Sequence, residues 1–168
     1  MVGLASGIQA ASCQPIRKGL RNTLMSQATV KFLIAAVLFL HGIAHVGPVG
    51  AYLWIKSRPQ DATRGWRAAR SWFAPGLSPR SATTIASLFW GLSLVGFVAA
   101  TLAFTGTLVP AALWRPLAIS AAIISSLGIL TFFGTWPMFN TLAALGVNAA
   151  VLVTQLLIHW PPQTLSGG

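Results

Sequence analysis

The fold is decided by the segment FLIAAVLFLHGIAHVGPVGAYLW, residues 32–54 of the chain. It contains no Lys, Arg, Asp or Glu, and about 20 mostly apolar residues are enough for one membrane-spanning helix. The whole chain has the same character: 55% of its 168 residues are hydrophobic and 7% are charged, against roughly 25% charged residues in a soluble domain. This composition predicts an integral membrane protein and excludes a soluble globular domain, a disordered chain and a disulfide scaffold.

Two further stretches lack charged residues, 81–114 and 116–168. The first has the length of one span. The second is too long for one, and the motif Gly-Thr-Trp-Pro at residues 134–137 divides it, because glycine ends helices and proline cannot continue one. The four predicted spans cover residues 32–54, 83–105, 112–134 and 138–159.

These spans predict an all-α fold, an integral membrane up-down four-helix bundle. The apolar runs are solid rather than alternating, which disfavours a β-barrel. Tryptophan prefers the membrane–water boundary, and four tryptophans fall at span ends: Trp54, Trp114, Trp136 and Trp160. We expect residues 1–31 to be a poorly ordered N-terminal segment, residues 32–160 to be the transmembrane domain and residues 161–168 to be a tail.

The one sizeable polar region, residues 56–80, carries six Lys and Arg residues. Within it, residues 62–73 place aromatic and basic side chains on different helical faces, which predicts a short amphipathic helix in the headgroup layer. Nucleic-acid binding is a competing interpretation. Basic loops beside spans are ordinary topology signals, however, so we expect anionic lipid headgroups and no nucleic acid as partners. The predicted headgroup contacts are Arg64, Arg67, Arg70, Trp66 and Trp72.

The positions of the basic residues indicate an orientation. Over the whole chain they are nearly balanced between the two sides. A start at Met25, just before the first span, would leave only Lys31 and Arg115 opposite the six basic residues of the loop. Because basic loops stay in the cytoplasm, we expect a bacterial inner-membrane protein with loop 56–80 in the cytoplasm and both termini outside. The lone Cys13 is expected to be inert.

Ionisable residues inside a span are costly and point to function. His41 and His45 lie four residues apart on one face of the first span, near its middle. Pro48 is expected to kink that helix one turn later. Polar residues of the other three spans fall at a similar depth, which predicts one buried polar cluster in the middle of the bundle. Its further members are Ser93, Ser125, Ser126 and Asn148.

Three interpretations of this cluster stay open. The side chains can act as packing contacts, because hydrogen bonds between membrane helices each contribute roughly 0.6–2 kcal/mol. His41 and His45 can instead bind a cofactor: haem or a chlorophyll-type pigment through one axial imidazole, or copper, or a metal completed by a partner chain. The third interpretation is a pH-sensitive proton or solute conduit, since histidine titrates near neutral pH.

Catalysis is not expected. Asp61 is the only acidic residue, so the chain cannot supply a pair of carboxylates, and it has no nucleophile motif, phosphate loop or dinucleotide fingerprint. We expect a structural or accessory subunit, working as a homo-oligomer or in a larger membrane complex. A haem-, pigment- or metal-binding subunit of a redox complex is the first alternative, and the conduit is the second.

The first span contains LHGIAH at residues 40–45, a His-Gly-x-x-His pattern. Further motifs follow in the second half of the chain: WRPLA at residues 114–118, Trp136-Pro137 and Asn148. Together they resemble an uncharacterised group of small bacterial membrane proteins with four spans, over about residues 32–54 and 114–157. The resemblance implies the four-span fold and brings no activity with it.

Overall fold

The computed structural model of the protein describes residues 26–50, 69–162 and 165. These residues include four helices long and apolar enough to cross a membrane, and they contain no strand. The predicted all-α membrane bundle is confirmed. Its helices are α1 (Gln27–Ala44), α2 (Pro79–Thr105), α3 (Trp114–Thr131) and α4 (Met138–Leu152), with a 3₁₀ turn at Ala111–Leu113 before α3 and a π-helical extension of α4 at Val153–Ile158.

Two helices begin earlier than the apolar pattern predicts. α1 starts after Ser26, whose hydroxyl accepts a hydrogen bond from the Thr29 N–H at 3.1 Å. Residues 27–31, expected in a poorly ordered segment, therefore belong to α1. Ser78 caps α2 in the same way, and Pro79 occupies its first turn, where proline fits because it has no N–H to satisfy. Capping chemistry, rather than hydropathy, sets both starts.

The predicted break between the last two spans is present. α3 ends at Thr131, and Gly134 follows with a φ of 84°, in the left-handed region that glycine adopts without strain. Pro137 then directly precedes α4. The connection is too short for a crossover, so α3 and α4 run beside each other in opposite directions.

Helix α1 is interrupted within its predicted span. It stops at Ala44 and resumes after a turn at His45. Pro48 has no N–H for the Ala44 carbonyl, and its ring crowds that carbonyl. The His45 N–H donates instead to the Gly42 carbonyl at 3.0 Å, three residues back rather than four. The kink predicted at Pro48 thus takes the form of a break, and the carbonyl of His41 is released from its usual backbone partner.

Helix α2 packs against both α1 and α3, and α3 packs against α4. The closest contacts between α2 and α3 are made at glycine. A Cβ added to Gly96 would lie 2.8 Å from the Cβ of Ala121. A Cβ added to Gly128 would lie 2.7 Å from the Cβ of Phe89. Small residues let membrane helices approach this closely, and the contacts fix the rotation of α2 relative to α3.

The outer surface of the bundle is apolar. Large hydrophobic side chains are exposed on all four helices, among them Phe32, Val95, Leu127 and Phe139. Such a surface is unfavourable in water and favourable in hydrocarbon. Together with the length and composition of the helices, it makes this chain a multi-pass membrane protein.

The loop before α2 differs from the amphipathic helix predicted over residues 62–73. The described part of that segment, residues 69–73, is not helical. Ala69 is buried, and its N–H donates to Oγ1 of Thr83 at 3.1 Å. A side-chain acceptor of this kind replaces the backbone bond that a helix would make. Outside the described residues lie the rest of the predicted helix, Trp54, the predicted start Met25 and Cys13.

Candidate functional site

The two intramembrane histidines are buried where α1 meets α2. The side chains of His41 and His45 are 8% and 5% exposed, and their ring centroids lie 5.1 Å apart in an edge-to-face arrangement. The ring of Phe97 on α2 packs edge-on against His41, with centroids 4.7 Å apart, and stacks on His45 at 6.1 Å. One phenyl ring therefore holds both imidazoles in position.

Four hydrogen bonds link these histidines to each other, to Ser125 on α3 and to Asn148 on α4. Nε2 of His41 lies 2.8 Å from Oδ1 of Asn148. Nδ2 of Asn148 donates to Oγ of Ser125 at 2.9 Å, and that Oγ lies 3.0 Å from Nε2 of His45. Nδ1 of His45 lies 2.8 Å from the carbonyl oxygen of His41, which closes the loop. We call these four residues the histidine circuit.

The protons of the histidine circuit can be assigned from donor and acceptor chemistry alone. A carbonyl oxygen only accepts, so Nδ1 of His45 carries a proton and, in a neutral ring, its Nε2 is an acceptor. The Ser125 hydroxyl then donates to that Nε2 and accepts from the Asn148 amide. The amide oxygen accepts from His41, whose proton is therefore on Nε2. The two histidines hold opposite neutral tautomers.

Reversing the Asn148 amide would not give a consistent set of bonds. The amide oxygen would then accept the hydrogen bond that the Ser125 hydroxyl can donate. The Ser125 oxygen and Nε2 of His45 would be left facing each other as two acceptors. A second proton on His45 would repair that contact only by placing a charge in hydrocarbon, which is unfavourable. The single acidic residue, Asp61, lies outside all four spans, so no span supplies a carboxylate to balance such a charge.

The break in α1 supplies the last bond of the circuit. In an unbroken helix the His45 N–H would donate to the His41 carbonyl four residues back. Because that N–H bonds to Gly42, the His41 carbonyl is left for the His45 ring. A buried carbonyl needs a donor, and here the imidazole provides it. The interruption of α1 at His45 thus determines which nitrogen of the His45 ring carries the proton.

The structure brings together only some of the polar residues predicted to cluster. Ser93 is fully buried, but its hydroxyl donates to the Phe89 carbonyl of its own helix at 2.7 Å. Ser126 is half-buried and takes no part in the circuit, because it points about 100° around α3 from Ser125. α2 therefore contributes Phe97, an apolar side chain that no polar pattern could reveal.

Between α1 and α4, the described residues line two cavities, one on each side of the His41–Asn148 hydrogen bond. The larger, about 380 Å³, is lined by His41, His45 and, among others, Trp90, Phe132 and Trp136. The smaller, about 280 Å³, lies among residues on the other side of the bond. No residue pattern signals either cavity, since both depend on how side chains from different helices are placed around a shared space. We call the first the aromatic cavity.

A metal or haem would compete with the histidine circuit for the imidazoles. Within the described ranges, no three His, Cys, Asp or Glu side chains are grouped so that they could hold a metal ion. Three of the four ring nitrogens of His41 and His45 already have protein partners. The remaining one, Nδ1 of His41, is the only ring atom of the pair that could bind a group without breaking a bond of the circuit.

The far end of the bundle is organised by Arg115. Its Nη2 donates to the carbonyls of His159 and Pro161, at 2.9 and 2.7 Å, and so satisfies acceptors at the end of the α4 extension. Trp114, predicted to lie at the membrane boundary, is 3% exposed and packs on Phe104 with centroids 5.1 Å apart. The structure places Trp114 at the first residue of α3, with its indole packed against the last turn of α2, and its position at the membrane boundary stays a prediction.

The predicted headgroup contacts are placed only in part. Arg70 and Trp72 are exposed, and Nε1 of Trp72 donates to the Leu130 carbonyl near the end of α3 at 2.5 Å. Arg64, Trp66 and Arg67 lie outside the described residues. Trp72 therefore sits where the bundle ends.

The fold and this site define a multi-pass, four-helix membrane protein with a closed His–Asn–Ser hydrogen-bond circuit in its interior. Comparison of the chain with protein-family models, with curated proteins and with solved structures gives no match to any of them.

Proposed function

We propose that this chain is a non-catalytic structural or accessory membrane protein, assembled as a homo-oligomer or as a small subunit of a larger complex. The observation that carries the proposal is the histidine circuit. Each of its side chains is used to bond another part of the bundle. Three of the four histidine ring nitrogens are thereby committed to bonds that hold the bundle together, and only Nδ1 of His41 is left.

The outer helices supply the surface for assembly. The share of residues buried inside the bundle is 22% in the most apolar windows of α1 and α4, against 33% in those of α2 and α3. α1 and α4 are therefore the helices with most surface left for lipid or for another chain. A second copy of the chain could cover part of this surface. Such a contact would rely on small residues that let helices approach closely, as they do between α2 and α3.

The functional test combines three measurements on protein purified in mild detergent: absorption spectrum, metal content and molecular mass. We expect a colourless, metal-free protein whose mass exceeds that of one chain. His41→Ala should lower its stability or change its assembly, whereas Leu40→Ala, at an exposed neighbouring position, should do neither. A visible absorption band that His41→Ala abolishes would overturn the proposal in favour of a cofactor-binding subunit. A single chain unaffected by His41→Ala would overturn it as well.

We further propose the bacterial inner membrane as the location, with loop 56–80 in the cytoplasm. The excess of basic residues in that loop supports this orientation, and so does the resemblance carried by LHGIAH. The ends of α2 offer the test, because Ser78 and Thr107 are both exposed there. In a Cys13→Ser background, an impermeant maleimide should label Thr107→Cys in intact spheroplasts and Ser78→Cys only after lysis. The reverse pattern would refute the orientation.

A further inference from the structure

The aromatic cavity has the composition of a ligand site. Its described lining is uncharged, with aromatic walls at Trp90, Phe132 and Trp136 and the two histidines at one end. Small-molecule sites are typically apolar concavities of 300–1,000 Å³ with few polar groups, and about 380 Å³ falls in that range. An apolar cavity of about 150 Å³ holds one benzene molecule, so this one has room for roughly 15 non-hydrogen atoms, the size of a fused bicyclic ring with a substituent.

The histidine circuit leaves one polar atom at this cavity without a partner. His41 donates through Nε2 to Asn148, so its Nδ1 carries a lone pair. Among the described residues, no hydrogen bond reaches that nitrogen. The ring is 8% exposed and lines the cavity. An acceptor that faces an apolar cavity without a donor is unfavourable, and a neutral molecule with one O–H group would satisfy it without introducing a charge.

The cavity also has an entrance between α1 and α4. Gly47, in the helical stretch that follows the break after α1, and Ala143 and Ala144 on α4 line it. A Cβ added to Gly47 would meet no atom within 4 Å. Ala143 is exposed. A molecule dissolved in the membrane could therefore reach the aromatic walls sideways, without crossing the aqueous phase.

We propose that the aromatic cavity binds a neutral aromatic alcohol, a phenol-type ring whose hydroxyl donates to Nδ1 of His41 while its faces pack on the indole and phenyl rings. The aromatic walls favour an aromatic ligand over an aliphatic alcohol, since ring pairs contribute beyond their buried area. The absence of charge favours a neutral hydroxyl over a carboxylate. This site does not depend on the subunit role proposed above.

The test uses 6-fluoro-2-naphthol and its methyl ether, followed by ¹⁹F NMR with the full chain in lipid nanodiscs and with empty nanodiscs. The naphthol should show a bound resonance only with the protein. The methyl ether has no proton to donate and leaves Nδ1 of His41 unsatisfied. Its affinity should therefore be lower than that of the naphthol by a factor of about ten or more. In ¹⁵N spectra the naphthol should shift His41 Nδ1 and leave His45 Nδ1 in place.

Two matched variants locate the binding. Ala144→Leu fills part of the cavity and should weaken naphthol binding at least tenfold. Ala149→Leu makes the same change at an exposed position on the same helix that does not line the cavity and should have no effect. The proposal is overturned if both variants bind like the original chain, if the ether binds as well as the naphthol, or if no signal rises above that of empty nanodiscs.

Discussion

Asn148→Leu is the sharpest single perturbation of the histidine circuit. The side chain is completely buried and makes two hydrogen bonds, to His41 on α1 and to Ser125 on α3. At about 0.6 kcal/mol for a typical hydrogen bond between membrane helices, losing both costs about 1 kcal/mol. The His41 Nε2–H is then buried without an acceptor, which adds about 1–3 kcal/mol. We expect the free energy of unfolding to fall by about 2–4 kcal/mol.

The assay is reversible unfolding in mixed micelles of dodecyl maltoside and SDS, followed by tryptophan fluorescence. Asn140→Leu is the matched control, since Asn140 is exposed on the same helix and lies outside the circuit. It should change the free energy of unfolding by less than about 0.5 kcal/mol.

If Asn148→Leu prevents folding, Ser125→Ala gives a milder test with Ser126→Ala as its neighbour control. A stability of Asn148→Leu equal to that of Asn140→Leu, or equal losses for the two serine variants, would show that the circuit does not hold the bundle together.

Two further predictions concern the ends and the interior of the bundle. Gly128→Ala should destabilise the protein by about 1–3 kcal/mol, because the new Cβ would lie 2.7 Å from Phe89 and overpack the α2–α3 contact. The control Gly146→Ala, where an added Cβ meets nothing within 4 Å, should not destabilise it. Equal effects of the two variants in the same unfolding assay would contradict the close packing of α2 and α3. Arg115→Met should speed hydrogen exchange of the Trp160 amide about tenfold or more, since charge-assisted bonds at the end of the α4 extension are lost. The control Arg80→Met, at the start of α2, should leave that rate unchanged. Slow exchange in both variants would show that other contacts hold the end of the α4 extension in place.

The sequence predicts the bundle well because hydrocarbon leaves few choices. A run of about 20 uncharged residues can only satisfy its backbone as a helix, and Gly134 and Pro137 mark the one break that the last stretch allows. Pro48 likewise predicts the interruption of α1. The same physics places His41 and Asn148 at related depths, so their meeting could be anticipated.

The partner offered by α2 could not be anticipated. Ser93 and Phe97 lie four residues apart on the same face of that helix, and they differ by one turn in depth. Hydropathy cannot place a residue along the membrane normal to within one helical turn. The close contact of Gly96 with Ala121 fixes the position of α2 against α3 and so decides which of the two side chains faces the histidines. Ser93 also has a local alternative, the carbonyl of Phe89, which serine readily uses inside a helix.

The tautomers could not be read from the sequence either. They follow from two local events, the donation of the His45 N–H to the Gly42 carbonyl and the acceptance by the His41 carbonyl of a hydrogen bond from the His45 ring. Each step is ordinary chemistry, but their combination appears only when distances are known. The aromatic cavity could not be predicted from the sequence either, because it depends on which small residues face each other across α1 and α4.

The ¹⁵N NMR spectrum of the histidine side chains shows which ring nitrogens of His41 and His45 carry protons. The chain has three histidines, preceded by Leu40, Ala44 and Ile158, so ¹³C-carbonyl labelling of leucine or alanine together with ¹⁵N-histidine identifies His41 and His45 separately. At neutral pH in lipid, the circuit predicts a proton on Nε2 alone for His41 and on Nδ1 alone for His45. The same tautomer at both positions, or a doubly protonated ring at either, would contradict it.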